Sequence, residues 1–468
     1  MFKKCLAVLL ISMLMISFCA CGGSNDDSAN QDADASKVES EVSSTPDTSD
    51  TSSGSGESEV ENMLNITVTA IDREKFSTNR PKDPNKENIS LILVTGQSNF
   101  TTSVGYSAEY GAYRDGKTTN MPEAPVVPQQ GIAYSFGTSA TSFKLDSSRD
   151  MNTLCRTDRS GVLGGVTPSF AIQWNGLTGT KVVFIQAAVG AVGVHEWTPD
   201  PSKYECTCAN NGKGQLYANA VNAYTRALVE LSEQYNIAYT GYIWNQGEHD
   251  EVYGKKDGVT IRDAKGYYDA YKEMHEGFMG TLGLDFGGIS VVRANDAGAT
   301  AEGSNSYTIA RAAQYKLCND IDDLYMLSTI SETCSHAMMD QGNTIHYSQT
   351  VFNMMGAEMA DSLFSLLKID AVREYEGIRI YGYNGFTIAK FDASGKLVSG
   401  NSVVSRSDCG NNVIIRPEIL GTHHKVEFEL KLAEGDGSKY IDEFGAIDWT
   451  NLYKELKVNE LKVNVTLK

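Results

Sequence analysis

The sequence predicts an α/β protein, a doubly wound parallel five-stranded sheet followed by a small C-terminal β-rich module. Between Asn88 and Lys368, five short apolar runs suited to strands buried on both faces alternate with segments whose apolar residues recur at spacings of three and four. Such alternation marks strand–helix–strand units wound on one sheet. Beyond Asp370 the texture shifts to short stretches of period two separated by Gly, Asn and Asp, as in a β-sandwich.

Residues 1–21 open with Lys3 and Lys4, run through the apolar stretch Leu6–Phe18 and end in small residues, the plan of a secretory signal. The ending Phe18-Cys19-Ala20-Cys21-Gly22-Gly23 resembles a bacterial lipoprotein lipobox. That resemblance implies lipidation of Cys21 and an extracytoplasmic protein, lipid-anchored to the bacterial cell membrane. Residues 22–62 are Ser, Asp, Glu, Thr and Gly with little to bury, which reads as a disordered acidic tether. Much of the net charge of −19 belongs to tether and surface, and it argues against nucleic acid as a partner.

An α/β domain is expected over residues 63–369, with its core at 88–368. Met63–Ala70 alternates as an edge strand would, and Thr78–Asn88 reads as a loop. The expected buried strands are Leu91–Thr95, Lys181–Ala187, Ala238–Trp244, Gly288–Arg293 and Asp323–Leu327. Helical patterns fall at Gln215–Tyr235, Ala264–Gly280, Ser304–Asn319 and Ser348–Leu367; in the first, Tyr217, Val221, Tyr224, Leu228, Leu231 and Tyr235 form one apolar stripe. The insertion Thr101–Leu163 is expected to shape a ligand pocket. Residues 370–468 form the accessory β-rich module, with strands such as Gly377–Tyr383, Phe386–Phe391, Val413–Ile415, Lys425–Leu432 and Leu461–Leu467.

Past the signal and Cys21, the cysteines are Cys155, Cys206, Cys208, Cys318, Cys334 and Cys409. Outside the cytoplasm these can form disulfides whose pairing sequence does not select. Cys206-x-Cys208 lacks the spacing and second pair of a zinc knuckle, so no metal is expected.

Chemistry-bearing residues cluster where the expected strands end. Gly96-Gln97-Ser98-Asn99 follows the first strand, and ligands bind at strand C-termini in such sheets. A glycine loop, Ala188–Trp197, follows the second, where backbone N–H groups can approach a ligand closely. Trp244-Asn245-Gln246-Gly247-Glu248-His249-Asp250 follows the third; Arg311-Ala312-Ala313-Gln314 lies on a helix, and Asn343-Thr344-Ile345-His346 precedes the last core helix.

In that order these segments resemble the sialate O-acetylesterase-like esterases, including carbohydrate esterase family six, of the SGNH-hydrolase superfamily. The resemblance covers roughly residues 88–368 and implies an esterase that removes acetyl groups from sugars, on sialic acids or plant polysaccharides such as xylan, without metal or organic cofactor. Carried onto this chain, it implies Ser98 as nucleophile, His346 as general base, and an oxyanion hole of Ser98 N–H, Gly190 N–H and the Gln246 side-chain amide. Two positions depart from the pattern. Ala191 stands where a second glycine is usual, and Asn343 where an aspartate usually orients the histidine. Glu248 is the expected substitute, with Asp340 and Asn343 as alternatives. Gln97, His195 and Trp197 are expected to line the sugar site, as are Tyr106, Tyr134 and His249, while Asp250, Arg311 and Gln314 read as scaffold. A second reading of the same features is a glycan-binding lipoprotein with impaired turnover.

Overall fold

The computed structural model describes residues 64–72, 78, 80–101, 126–154, 165–203, 215–252, 263–293, 307–333, 346–367, 378–381, 387–392, 394–405, 412–417, 424–432, 438–440, 446–462 and 465–467. The signal and tether, including Cys21, lie outside the described residues, as do Tyr106, Asp340, Asn343 and every cysteine named above except Cys318.

Six parallel strands form the central sheet. After β1 (Leu64–Asp72) come β2 (Asn88–Gly96), β3 (Ala133–Gly137), β4 (Lys181–Gln186), β5 (Asn236–Asn245), β6 (Phe286–Ser290) and β7 (Leu324–Ser328). The sheet order is β3-β4-β2-β5-β6-β7, with every neighbouring pair parallel. The five expected strands are present, and β3 is the sixth, inside the stretch read as an insertion. Its five residues pair with β4 at the sheet edge, with a lone bridge from Tyr134 to Asp150 on the other side. A run so short, between Gly131 and Gly137, carries too little periodicity to stand out from a turn-rich loop.

Helices cover both faces. α1 (Met151–Leu154) is a single turn; α2 (Thr167–Thr178), α3 (Gln215–Ser232), α4 (Glu248–Val252), α5 (Ala264–Leu282), α6 (Thr308–Asp320) and α7 (Gln349–Leu367) follow. On one face Tyr224, Tyr271, Phe278 and Leu317 from α3, α5 and α6 pack on Leu91, Leu93, Ile185 and Trp244. On the other, Phe170, Trp174, Phe352 and Met359 from α2 and α7 pack on Ile92, Val94 and Phe184. The buried face of α3 is turned slightly from the expected stripe: Leu216, Ala220, Ala223, Tyr224, Ala227 and Leu231 are buried, while Tyr217, Val221 and Leu228 sit at its margin. Alanines toward the sheet let the helix backbone approach it closely.

β1 does not join this sheet. It pairs antiparallel with β13 (His424–Leu432), in register from Leu64 opposite Leu432 to Asp72 opposite His424, and parallel with β16 (Val465–Leu467). The edge strand expected in the α/β domain therefore belongs to the C-terminal module. The rest of that module includes an antiparallel sheet of β8 (Ile378–Tyr381), β9 (Thr387–Phe391), β10 (Leu397–Gly400), β12 (Asn412–Pro417) and β14 (Ala446–Asp448). β11 (Val403–Ser405) pairs with β15 (Glu460–Lys462), and α8 (Trp449–Leu456) buries Trp449, whose indole N–H bonds Val458 O at 2.9 Å.

α2 and α7 touch through Gly356, where a Cβ would overlap Ser169 Oγ and the carbonyl of Val166. Gly280, exposed on α5, has open space around it. Gly356→Ala should thus destabilise by about 1–3 kcal/mol through overpacking, whereas Gly280→Ala should leave stability unchanged or raise it by up to about 1 kcal/mol through helix propensity. Thermal melts of the two variants should shift in opposite directions, or only the first should shift.

Candidate functional site

β2 lies between β4, which precedes β5 in the chain, and β5 itself, so the strand order reverses beside it. In open α/β sheets the crevice at such a switch point, beyond the strand C-termini, is where ligands bind. Three loops meet there.

The first follows β2. Gly96 has φ +110°, and a Cβ on it would overlap the carbonyl of Asn245. Only glycine takes that conformation so close to another backbone. The chain then enters a tight turn, Ser98–Phe100, closed by Phe100 N–H to Gln97 O at 2.8 Å and Thr101 N–H to Ser98 O at 3.1 Å. Ser98 is half-buried, while Gln97 and Asn99 on either side are buried. Ser98 thus stands just beyond the C-terminal end of an interior strand, while its buried neighbours hold the backbone.

The second loop continues β4. Ala187 N–H bonds Val94 O at 2.9 Å and Val189 N–H bonds Gly96 O at 3.1 Å, extending the β2–β4 pairing past the strand end. This carries Gly190 against the serine, where a Cβ would sit 3.7 Å from Ser98 Cβ. Gly190 and Ala191 form an exposed crest. Ala191 has φ +56°, the left-handed region, so the alanine replacing a second glycine keeps a glycine-like backbone. That conformation costs an L-residue about 1–2 kcal/mol.

The third loop follows β5 and links the other two to the histidine. Gln97 N–H bonds Asn245 O at 3.0 Å. Glu248, buried at the start of α4, accepts from Asn99 Nδ2 at 2.9 Å, and Asn99 Oδ1 accepts from Tyr347 N–H at 3.3 Å. One amide, next to Ser98, thus joins the expected carboxylate to the peptide next to His346. His346 is half-buried just before α7, whose first residue, Gln349, is anchored by bonds of 3.0 Å to both N–H and O of Gly165.

Several of the expected site residues are buried or engaged elsewhere in the structure. Gln246 is fully buried, and its side-chain N–H₂ donates to Val192 O at 2.9 Å and Asp250 Oδ2 at 2.5 Å. Both hydrogens are committed, so the amide braces the glycine loop and leaves no hydrogen for an oxyanion. Trp197 has no exposed surface and packs edge-on against Trp244 at 5.7 Å, so it cannot stack on a sugar. His195 and Gln97 are buried too, Gln97 accepting from His249 N–H at 3.3 Å, and Tyr134 is buried in the core. Of the residues expected around the sugar that are described, His249 keeps partial exposure. Asn99, whose only signal in the sequence is its place after Ser98, has its bridging role by virtue of its position.

Burial governs the electrostatics. His195 Nδ1 lies 3.9 Å from Asp250 Oδ1. Desolvation, with His249 adding like-charge repulsion, pulls the His195 ring down from its ordinary 6.5 to about 4. Desolvation pushes Asp250 up to about 7, against bonds from Gln246 and Val194 N–H that favour the carboxylate. Farther back, Arg311 pairs with Glu332 at 3.5 Å, both buried, while Gln314 bonds Gln246 O at 2.7 Å and receives Val292 N–H at 2.9 Å. That motif holds the loop after β5 to β6 and lies behind the site.

The profile of the carbohydrate esterase, sialic acid-specific acetylesterase family matches residues 88–365. Similar solved structures include a protein from Arabidopsis thaliana, with 14% identity, 60% of this chain and 98% of that one covered, and a TM-score of 0.40. A carbohydrate acetylesterase from Xanthomonas citri shows 14% identity over 71% of this chain and 73% of its own, with a TM-score of 0.38. NanS shows 11% identity over 60% and 98%, with a TM-score of 0.36. No curated protein matches the chain.

His195 should stay neutral until about pH 4, which NMR of the ring nitrogens, assigned with His195→Gln, would show; a midpoint near 6.5 would contradict its burial. By linkage, this histidine costs stability as pH falls from about 6.5 toward 4, because the unfolded chain binds the proton more readily. Asp250 has the opposite sign: the stability its raised pKa contributes at low pH is lost as pH rises through about 7.

Proposed function

Because the chain belongs to the carbohydrate esterase, sialic acid-specific acetylesterase family, we propose that it removes acetyl groups from sugar hydroxyls through an acyl-serine intermediate at Ser98. The observation that supports this reading is the Asn99 bridge, which draws the Ser98 turn, Glu248 and the peptide following His346 into one buried hydrogen-bonded unit. In this reading Ser98 Oγ attacks the acetyl carbonyl carbon and its proton passes to His346. The tetrahedral oxyanion is held by the N–H groups of Ser98 and Gly190, and Gly190's approach to Ser98 supports that pairing. His346 then protonates the sugar oxygen as the C–O bond breaks. Water, deprotonated by His346, attacks the acyl-enzyme and releases acetate, and the proton returns to Ser98.

Glu248 orients the histidine in this scheme, in place of the aspartate that Asn343 replaces. An anionic group there matters because an amide at this position of a serine triad can cost about 10⁴-fold through the wrong imidazole tautomer. In this reading the acceptor is an acetylated carbohydrate, and the lipobox-like Cys21 supports a lipid anchor at the outer face of the bacterial membrane, where such polymers are met.

Purified protein should release acetate from acetylated xylan, acetylated sialosides or a chromogenic acetate ester, and Ser98→Ala should reduce release by at least about 10³-fold. Full release by that variant would sink the assignment. Saturable binding of acetylated glycans without release by the wild type would favour the glycan-binding alternative. Glu248→Gln should lower kcat far more than Asn343→Ala does; the reverse ranking would move the orienting group to residue 343.

A further inference from the structure

We infer that Asp250 and Gln246 are positioning residues that clasp the glycine loop from behind and set where the Gly190 N–H points. This rests on the reading of Gly190 as an oxyanion donor. The crest Gly190–Ala191 stands between two anchors. The upstream anchor is a main-chain bond, Val189 N–H to Gly96 O at 3.1 Å, beside the packing of the Val189 side chain on the core. The downstream anchor is made of side chains: Gln246 Nε2 holds Val192 O at 2.9 Å and Asp250 Oδ2 receives Val194 N–H at 3.1 Å. Gln246 Nε2 also donates to Asp250 Oδ2, so the two grips form one unit. Glu196 tightens the same turn by accepting from Gly193 N–H at 3.0 Å.

Val192 and Val194 are buried in the core on the downstream side and Val189 packs against it upstream, so the loop's flanks are held while the crest itself is not covered. Its residues at 190 and 191 are exposed, and residue 191 sits in a conformation unfavourable for alanine. An oxyanion donor must lie within hydrogen-bond reach of the developing charge, so slack at Val192–Val194 would be felt at Gly190 as a misdirected N–H. Nothing in the clasp touches substrate; it acts through the loop.

Several groups face Asp250: His195 and Glu196 from the glycine loop, Gln246 from its own segment, and Tyr267 from α5. A variant that keeps the acceptor oxygen but removes the charge separates the clasp from these fields. Asp250→Asn retains an oxygen for Val194 N–H and Gln246; Asp250→Ala retains none.

The test is steady-state kinetics on a chromogenic acetate ester for wild type, Asp250→Asn and Asp250→Ala, with active enzyme counted by labelling Ser98 with an activated phosphonate. Asp250→Ala should lower kcat per labelled site by about 10²-fold, the size of a lost oxyanion donor, with KM within about threefold. Asp250→Asn should restore kcat to within about tenfold of wild type. Unchanged kcat per labelled site in Asp250→Ala, with only a lower melting temperature, would overturn the clasp, as would equal losses in both variants. Wild-type protein that neither turns over the ester nor takes the label would instead overturn the acyl-serine reading.

Discussion

The carbonyl of Asn245 occupies the space that a side chain on residue 96 would need. Because Gly96 has none, the ends of β2 and β5 press together, and Gln97 N–H closes on that same carbonyl. The Asn245 side chain reaches the other way, donating to the carbonyls of Ser290 at 3.0 Å and Val291 at 3.2 Å at the end of β6. One residue thereby ties three strand ends, and Ser98 inherits its position from this knot. A side chain on a free loop would have to be ordered each time it met a ligand; here the sheet has already fixed it.

The polar residues around the knot are mostly buried, and buried polar groups cost free energy unless they are bonded. They are arranged in tiers. Asn99 joins the loops nearest the serine, while Gln246 and Asp250 secure the glycine loop. Gln314 and Tyr267 meet on the carbonyl of Gln246, at 2.7 and 3.0 Å, and hold that tier from behind. Few of these groups can meet a sugar. They keep the few exposed ones in register.

What the sequence disclosed follows from how local its physics is. The strands and helices of the core were legible because burial on one or both faces writes a period into consecutive residues, as in Leu91–Thr95 or the stripe of α3. β3 left too short a run to be read. The motif Gln246-Gly247-Glu248-His249-Asp250 was visible as a site, yet the direction in which each side chain points was not. Gln246 and Trp197 read as ligand contacts because amides and indoles commonly serve that purpose, but packing turned both inward. The partner of β1 was illegible for another reason, since its alternation shows that it is a strand without saying to what it bonds.

That pairing shapes how the molecule is made. Leu64–Asp72 leaves the ribosome before any residue of the α/β domain, while the strands it bonds, at His424–Leu432 and Val465–Leu467, come after all of it. The whole α/β domain must be synthesised, and can fold, while β1 waits with an open edge. Pairings so distant along the chain form slowly, and an unpaired edge invites association with other chains. The module is therefore a clasp fastened only after His424–Leu432 and Val465–Leu467 have been made, and a chain truncated near residue 370 would leave Leu64–Asp72 without the strands it bonds rather than release a clean α/β domain.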